Sequence, residues 1–173
     1  MITIDGGTGS ILHNGTEVAS PKMVDSWRLN ADLVSSDNNT TILGSKFTRI
    51  TAIGDGMTVD GGSGVWTFPS TGKYFVNVVM TSRPDMNDNI YIFTEVTTDN
   101  SSYTKRPVAQ VSGADSNSAA KQGTSSILVD VTDTSNVKVR FHLDSLGGTS
   151  RITYAHDTTT YDTIFSFIKM GLT

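Results

Sequence analysis

The chain has 173 residues and a mass of 18.5 kDa, the size of one ordinary globular domain, with 36% hydrophobic and only 17% charged residues. Their places are taken by 25 Thr, 20 Ser, 16 Gly and 15 Asp against two Glu, residues that favour turns, caps and (for Thr) strands, so the composition points to an all-β protein and excludes a helical domain. A net charge of −4 gives no basic footprint for nucleic acid, no 18-residue apolar run is available to span a membrane as a helix, and the absence of cysteine removes disulfides, thiolate nucleophiles and Cys-ligated metals.

Residues 1–25 are rich in Gly and Thr and open on Met1-Ile2-Thr3-Ile4-Asp5-Gly6-Gly7, which lacks the basic region and apolar core of a secretion signal. Their apolar residues, Ile2, Ile4, Ile11 and Leu12, are too few for a separate core, so the segment reads as an anchoring arm ahead of a body spanning 26–173. From Ser26 onward, turn signals recur every 8–15 residues between short β-prone runs, as in a sandwich or barrel. The run Lys73–Met80 puts Tyr74, Val76, Val78 and Met80 on one strand face and Phe75, Asn77 and Val79 on the other. In Asn89–Val96, Ile90, Ile92, Thr94 and Val96 oppose Tyr91 and Phe93.

The runs 126–131 and 137–143 are expected to pair, and the second alternates strictly, with Val137, Val139, Phe141 and Leu143 inward and Lys138, Arg140 and His142 outward. The stretches 109–124 and 146–161 are polar and read as surface loops. The last run, Thr163–Met170, is apolar on both faces and would be hazardous at an exposed edge, so a sheet centre or a subunit contact should bury it. The echo of Thr3–Gly9 in Thr58–Gly64 is a turn used twice, since Asp-Gly suits positive φ.

The segment Gly64-Val65-Trp66-Thr67-Phe68-Pro69-Ser70-Thr71-Gly72-Lys73-Tyr74 resembles a strand motif of the globular heads of complement and of the tumour-necrosis-factor ligands, with Trp66 in place of the usual Phe. Tyr161–Ile168 is similar to the closing strand of that family, although the glycine of the closing motif is missing and Phe167 directly follows Ser166. The resemblance implies a jelly-roll β-sandwich that associates as a compact homotrimer, with one face of the doubly apolar strands in the sandwich and the other towards the threefold axis. Under that implication Tyr74, Phe75, Phe165 and Phe167 are the expected trimer contact, and coverage of both faces within one subunit is the alternative.

The cysteine-free, acidic, Asp/Thr/Asn-rich composition and the Gly-rich arm also resemble tailed-bacteriophage virion proteins. No heptads and no Gly-X-Y stalk are present, so the expectation is a capsid decoration protein, assembled in the host cytoplasm and bound to the major capsid protein or another virion component. Neither nucleic acid nor membrane is an expected partner, and no cofactor is called for. A fibre or spike tip that binds host glycans, with Tyr154 and Tyr161 as loop aromatics, is the runner-up. A secreted signalling ligand fits less well.

Catalytic signals are weak. His13, His142 and His156 have no ligand spacing for zinc. The run Asp85-Met86-Asn87-Asp88-Asn89 is rich in oxygen ligands but lacks the 12-residue calcium loop, and reads as a turn after Pro84. No Gly-x-Ser-x-Gly elbow occurs, and neither Gly-rich run leads into a helix or a Lys-Ser/Thr pair. The expectation is a protein without catalytic residues and without a metal site.

Overall fold

The computed structural model describes residues 23–85, 88–113, 119–155 and 160–171, together with three short strands of the N-terminal segment. In chain order the strands are β1 (Ile2–Ile4), β2 (Ile11–His13), β3 (Thr16–Glu17), β4 (Met23–Leu29), β5 (Thr40–Thr41), β6 (Phe47–Ile53), β7 (Thr58–Val59) and β8 (Trp66–Thr67). They continue with β9 (Gly72–Arg83), β10 (Asn89–Thr97), β11 (Thr104–Ser112), β12 (Lys121–Val131), β13 (Lys138–Asp144), β14 (Arg151–Ile152) and β15 (Ile164–Gly171).

Two antiparallel sheets face each other. One runs β12-β9-β15-β4-β6, and the other β11-β10-β13-β8-β7. The arm strands β1, β2 and β3 form a three-stranded sheet of their own, and the side chains of residues 1–22, with the anchoring candidates Ile2, Ile4, Ile11 and Leu12, lie outside the described residues. The body begins earlier than the sequence reading placed it: Met23 and Asp25 belong to β4 and are buried.

The inward residues follow from alternation. Tyr74, Val76, Val78 and Met80 of β9, Ile90 and Ile92 of β10, Val139, Phe141 and Leu143 of β13, and Phe165 and Phe167 of β15 are all within 1% of complete burial. At the centre Trp66 meets Trp27, Phe47 and Phe167 at ring centroid distances of 5.0, 5.0 and 4.9 Å, within the range at which aromatic pairs attract beyond their area. The Tyr74 hydroxyl donates to the Ser70 carbonyl at 2.9 Å, so its polar end is satisfied where the ring is buried. The motif glycine Gly64 has a φ of +71°, and a Cβ there would overlap the Ile42 carbonyl.

Two expectations need correction, and a third is met. The runs 126–131 and 137–143 do not pair: β12 pairs with β9 and β13 with β10, so the turn between them crosses from one sheet to the other. Part of the stretch 109–124 is strand, since β11 extends to Ser112 and β12 starts at Lys121. β11 escaped the sequence reading because it carries Pro107 and a polar first half, which an edge strand tolerates at a bulge, and the register with β10 slips between Phe93 and Glu95. The greasy strand β15 lies in a sheet centre, between β9 and β4.

Candidate functional site: an apolar row across one sheet

Tyr74, Phe165 and Phe167 do not lie on an assembly surface. Each is fully buried inside one subunit, because the face of β9 and β15 that carries them is the one turned towards the second sheet. Phe75 alone of the four contact candidates is on the outer face, where it is half-buried.

The strand registers define that outer face row by row. Leu128 lies opposite Phe75, Phe75 opposite Ile168, Ile168 opposite Val24, and Val24 opposite Ile53. These five apolar side chains cross all five strands in one transverse row, and its two ends stand far out of the fold, Leu128 at 59% and Ile53 at 61% exposure. Met170, 57% exposed, follows Ile168 along β15.

The next row is small and polar: Ser126, Asn77, Ser166, Ser26 and Thr51. The third holds Thr124, Val79, Ile164, Arg28 and Thr48. Arg28 is the one charged residue in the fifteen positions of the three rows, and its guanidinium sits over the Tyr161 ring at 4.8 Å. The first row is thus a contiguous apolar strip across the sheet, bordered on this side by small and polar residues.

The outer face of the second sheet has the opposite character. Arg140 donates to Glu95 at 2.6 Å and lies over the Tyr103 ring at 3.9 Å. Lys105 pairs with Asp144 at 3.4 Å and covers Phe93 at 4.2 Å, while Tyr91 stacks on Phe93 at 5.7 Å. Burial beside these groups pushes the Tyr103 hydroxyl pKa up. Two cation–carboxylate pairs therefore lie on this face, Arg140–Glu95 and Lys105–Asp144.

A second apolar feature sits where β11 and β12 part. A groove of about 380 Å³ has Val96, Ile127, Val129 and Val137 in its lining, with Arg106, Asp130 and Leu128 beside them. Leu128 therefore belongs both to the groove and to the row.

The remaining sequence candidates serve the fold. Asp85 accepts from the Thr149 hydroxyl at 2.7 Å, and Asp88 accepts from the Ser150 hydroxyl and from the Gly147 amide at 3.3 Å, so both carboxylates staple two loops together. Met86, Asn87 and His156 lie outside the described residues, as does the His13 side chain. His142 is half-exposed on the second sheet, opposite Phe93. Among the described residues no three His, Cys, Asp or Glu side chains gather to hold a metal. Tyr154 and Tyr161 are 38% and 41% exposed.

One functional-looking charge was missed by the sequence reading. Asp25 is wholly buried, receives two hydrogen bonds from Arg49 at 3.0 and 3.2 Å, and accepts the Met57 amide at 2.7 Å. Arg49 also donates to the Met57 carbonyl and lies over Trp27 at 4.3 Å. The cluster clamps the loop after β6 against β4, a structural role.

No family model and no curated protein matches the sequence. Solved structures do match by shape. The Eiger tumour-necrosis-factor protein from S. frugiperda superposes with a TM-score of 0.65 at 11% identity, covering 89% of this chain and 96% of its own. Murine APRIL gives 0.59 at 9% identity, covering 85% and 98%. The fold is that of a tumour-necrosis-factor and complement-head jelly roll. The globular domain of zebrafish complement 1qA agrees, at a TM-score of 0.57 and 10% identity over 89% of this chain and all of that one. At these identities the likeness is one of fold.

Proposed function

We propose that this jelly roll is a non-enzymatic structural protein of a virion that works as a homotrimer, most simply as a decoration protein on the head of a tailed bacteriophage. The observation that carries the assembly is the apolar row Leu128–Phe75–Ile168–Val24–Ile53, whose two ends, Leu128 and Ile53, stand exposed among the described residues. A threefold ring is heterologous, so one patch of each copy meets a different patch of the next. The row and the groove between β11 and β12 supply two such apolar patches, joined at Leu128. The cysteine-free, acidic, Thr- and Asp-rich composition supports the virion setting.

In this reading the arm ahead of β4, with Ile2, Ile4, Ile11 and Leu12, reaches the major capsid protein or another virion component. The trimer stabilises the shell through many weak contacts added across subunit joints. Full-length protein mixed with undecorated heads should cosediment with them, whereas a chain lacking residues 1–22 should remain in solution as a trimer. Equal binding of both forms would refute the anchoring role.

Exposed Tyr154 and Tyr161 favour a second reading, a fibre or spike tip that stacks host sugars on those rings. Retention on a glycan array that is lost in Tyr154→Ala and Tyr161→Ala would establish it, and no retention would dismiss it.

A further inference from the structure

We propose that Asp55–Gly56 is a site of spontaneous isoaspartate formation, and that the fold directs this rearrangement there and away from Asp60–Gly61. An Asp-Gly peptide rearranges when the glycine amide nitrogen attacks the aspartate side-chain carboxyl, because glycine has no Cβ to hinder the approach. The N–Cγ bond forms, the carboxyl hydroxyl leaves as water with the amide proton, and a cyclic succinimide results. Water then opens the ring at either carbonyl, and opening at the main-chain carbonyl leaves the chain running through the side chain. The sum is an isomerisation, with one water released and one taken up.

The body carries two such pairs, and their surroundings differ. Asp55 is exposed, and among the described residues no hydrogen bond or ion pair involves its carboxylate or the Gly56 amide. It follows Gly54, whose φ is +71°, so glycines flank it on both sides and the backbone can turn into the geometry of ring closure. The Asp60 carboxylate instead accepts from the Gly62 amide at 3.1 Å and from the Ser63 amide and hydroxyl at 2.7 Å each. These bonds hold its pKa below the usual range, which leaves less of the neutral acid that the amide attacks. The backbone is fixed as well: the Asp60 amide donates to the Val65 carbonyl at 2.9 Å, its carbonyl accepts from the Gly64 amide at 2.9 Å, and the Gly61 carbonyl accepts from the Ser45 amide at 3.1 Å. Gly56 cannot give way to a slower-reacting residue, since a Cβ there would lie 2.6 Å from Asp25 Oδ2 and 3.0 Å from an Arg49 nitrogen. The clamp on Met57 thus imposes the reactive pair on the sequence, and isoaspartate at 55 adds a methylene to the main chain that leads into that clamp.

The test ages full-length protein near neutral pH, digests it with trypsin and reads the peptides by electron-transfer fragmentation, which tells isoaspartate from aspartate. Cleavage at Lys22 keeps Asp5-Gly6 and Asn14-Gly15 out of the peptide 50–73, which carries both pairs of interest. Hydrogen bonds that must open before ring closure slow it, so isoaspartate should accumulate at 55 about tenfold faster than at 60, or more. Equal or slower accumulation at 55 overturns the proposal. In protein unfolded by guanidinium the two pairs should react at similar rates, and a contrast that survives unfolding also overturns it, since the fold would not be its cause. Ser63→Ala removes one bond from the Asp60 carboxylate and should raise isoaspartate at 60 by about threefold or more; an unchanged rate counts against the proposal.

Discussion

Leu128→Ala separates assembly from folding, because the side chain holds 59% of its surface in solvent within one subunit. Burying a whole leucine is worth about 1.5–3 kcal/mol, so closing the exposed part at an interface is worth about 1–1.5 kcal/mol per copy. A ring contains the contact three times, which gives roughly 3–4.5 kcal/mol per trimer, or a loss of about 150- to 1,500-fold in the trimer association constant. Sedimentation equilibrium over a range of loading concentrations measures that constant directly, and thermal unfolding of the same samples monitors the fold. Leu128→Asp should be more severe, since a carboxylate at the contact must be desolvated. If Leu128→Ala associates within threefold of the parent while Phe75→Ala does the same, the apolar row is not the contact and the proposed assembly fails.

Further expectations follow from the interior. Phe165→Ala removes a fully buried ring that touches Phe47 and Phe141 at 5.0 and 4.6 Å, and urea unfolding should record a loss of about 3–5 kcal/mol; a loss below about 1 kcal/mol would contradict its place in the core. Asp25→Ala strips a buried partner from Arg49 and from the Met57 amide, and should cost about 2–4 kcal/mol, less than a sealed ion pair because Arg49 keeps 41% of its side chain in solvent. Gly64→Ala forces a side chain into left-handed backbone against the Ile42 carbonyl and should cost at least about 1–3 kcal/mol in the same assay. The Asp60 carboxyl is held below its usual range by the Ser63 hydroxyl, then by the Ser63 and Gly62 amides, and that of Asp99 by the Ser102 and Ser101 amides and the Thr97 hydroxyl. Depressed folded pKa values contribute stability above the usual carboxyl range near ~4 that is lost as pH falls below it. Melting temperature should therefore drop between pH 5 and 2, less steeply in Asp60→Asn/Asp99→Asn, and an unchanged slope would refute the assignment.

Strand alternation was enough to divide β9 and β10 into two opposed faces and to sort β13 into inward and outward residues, since a period of two needs no tertiary information. It could not say which face of β9 or β15 meets the second sheet, because both are apolar. The contact candidates Tyr74 and Phe75 are consecutive and so point to opposite faces, and the choice between them is made only by what packs above. The row of five became visible once register aligned residues from five separate strands. Sheet membership is equally silent in a local pattern: β12 and β13 are joined by a short turn yet belong to different sheets. Pro107 hid β11, and the Asp25–Arg49 pair lies 24 residues apart with no local spacing to announce it.

The solution mass of the full-length chain tests the central claim most directly. A species of about 55 kDa, three chains of 18.5 kDa, that falls towards the single-chain mass in Leu128→Asp is the predicted result. A full-length protein that sediments as a monomer at every concentration would contradict the account and leave the apolar row as an ordinary solvent-facing strip.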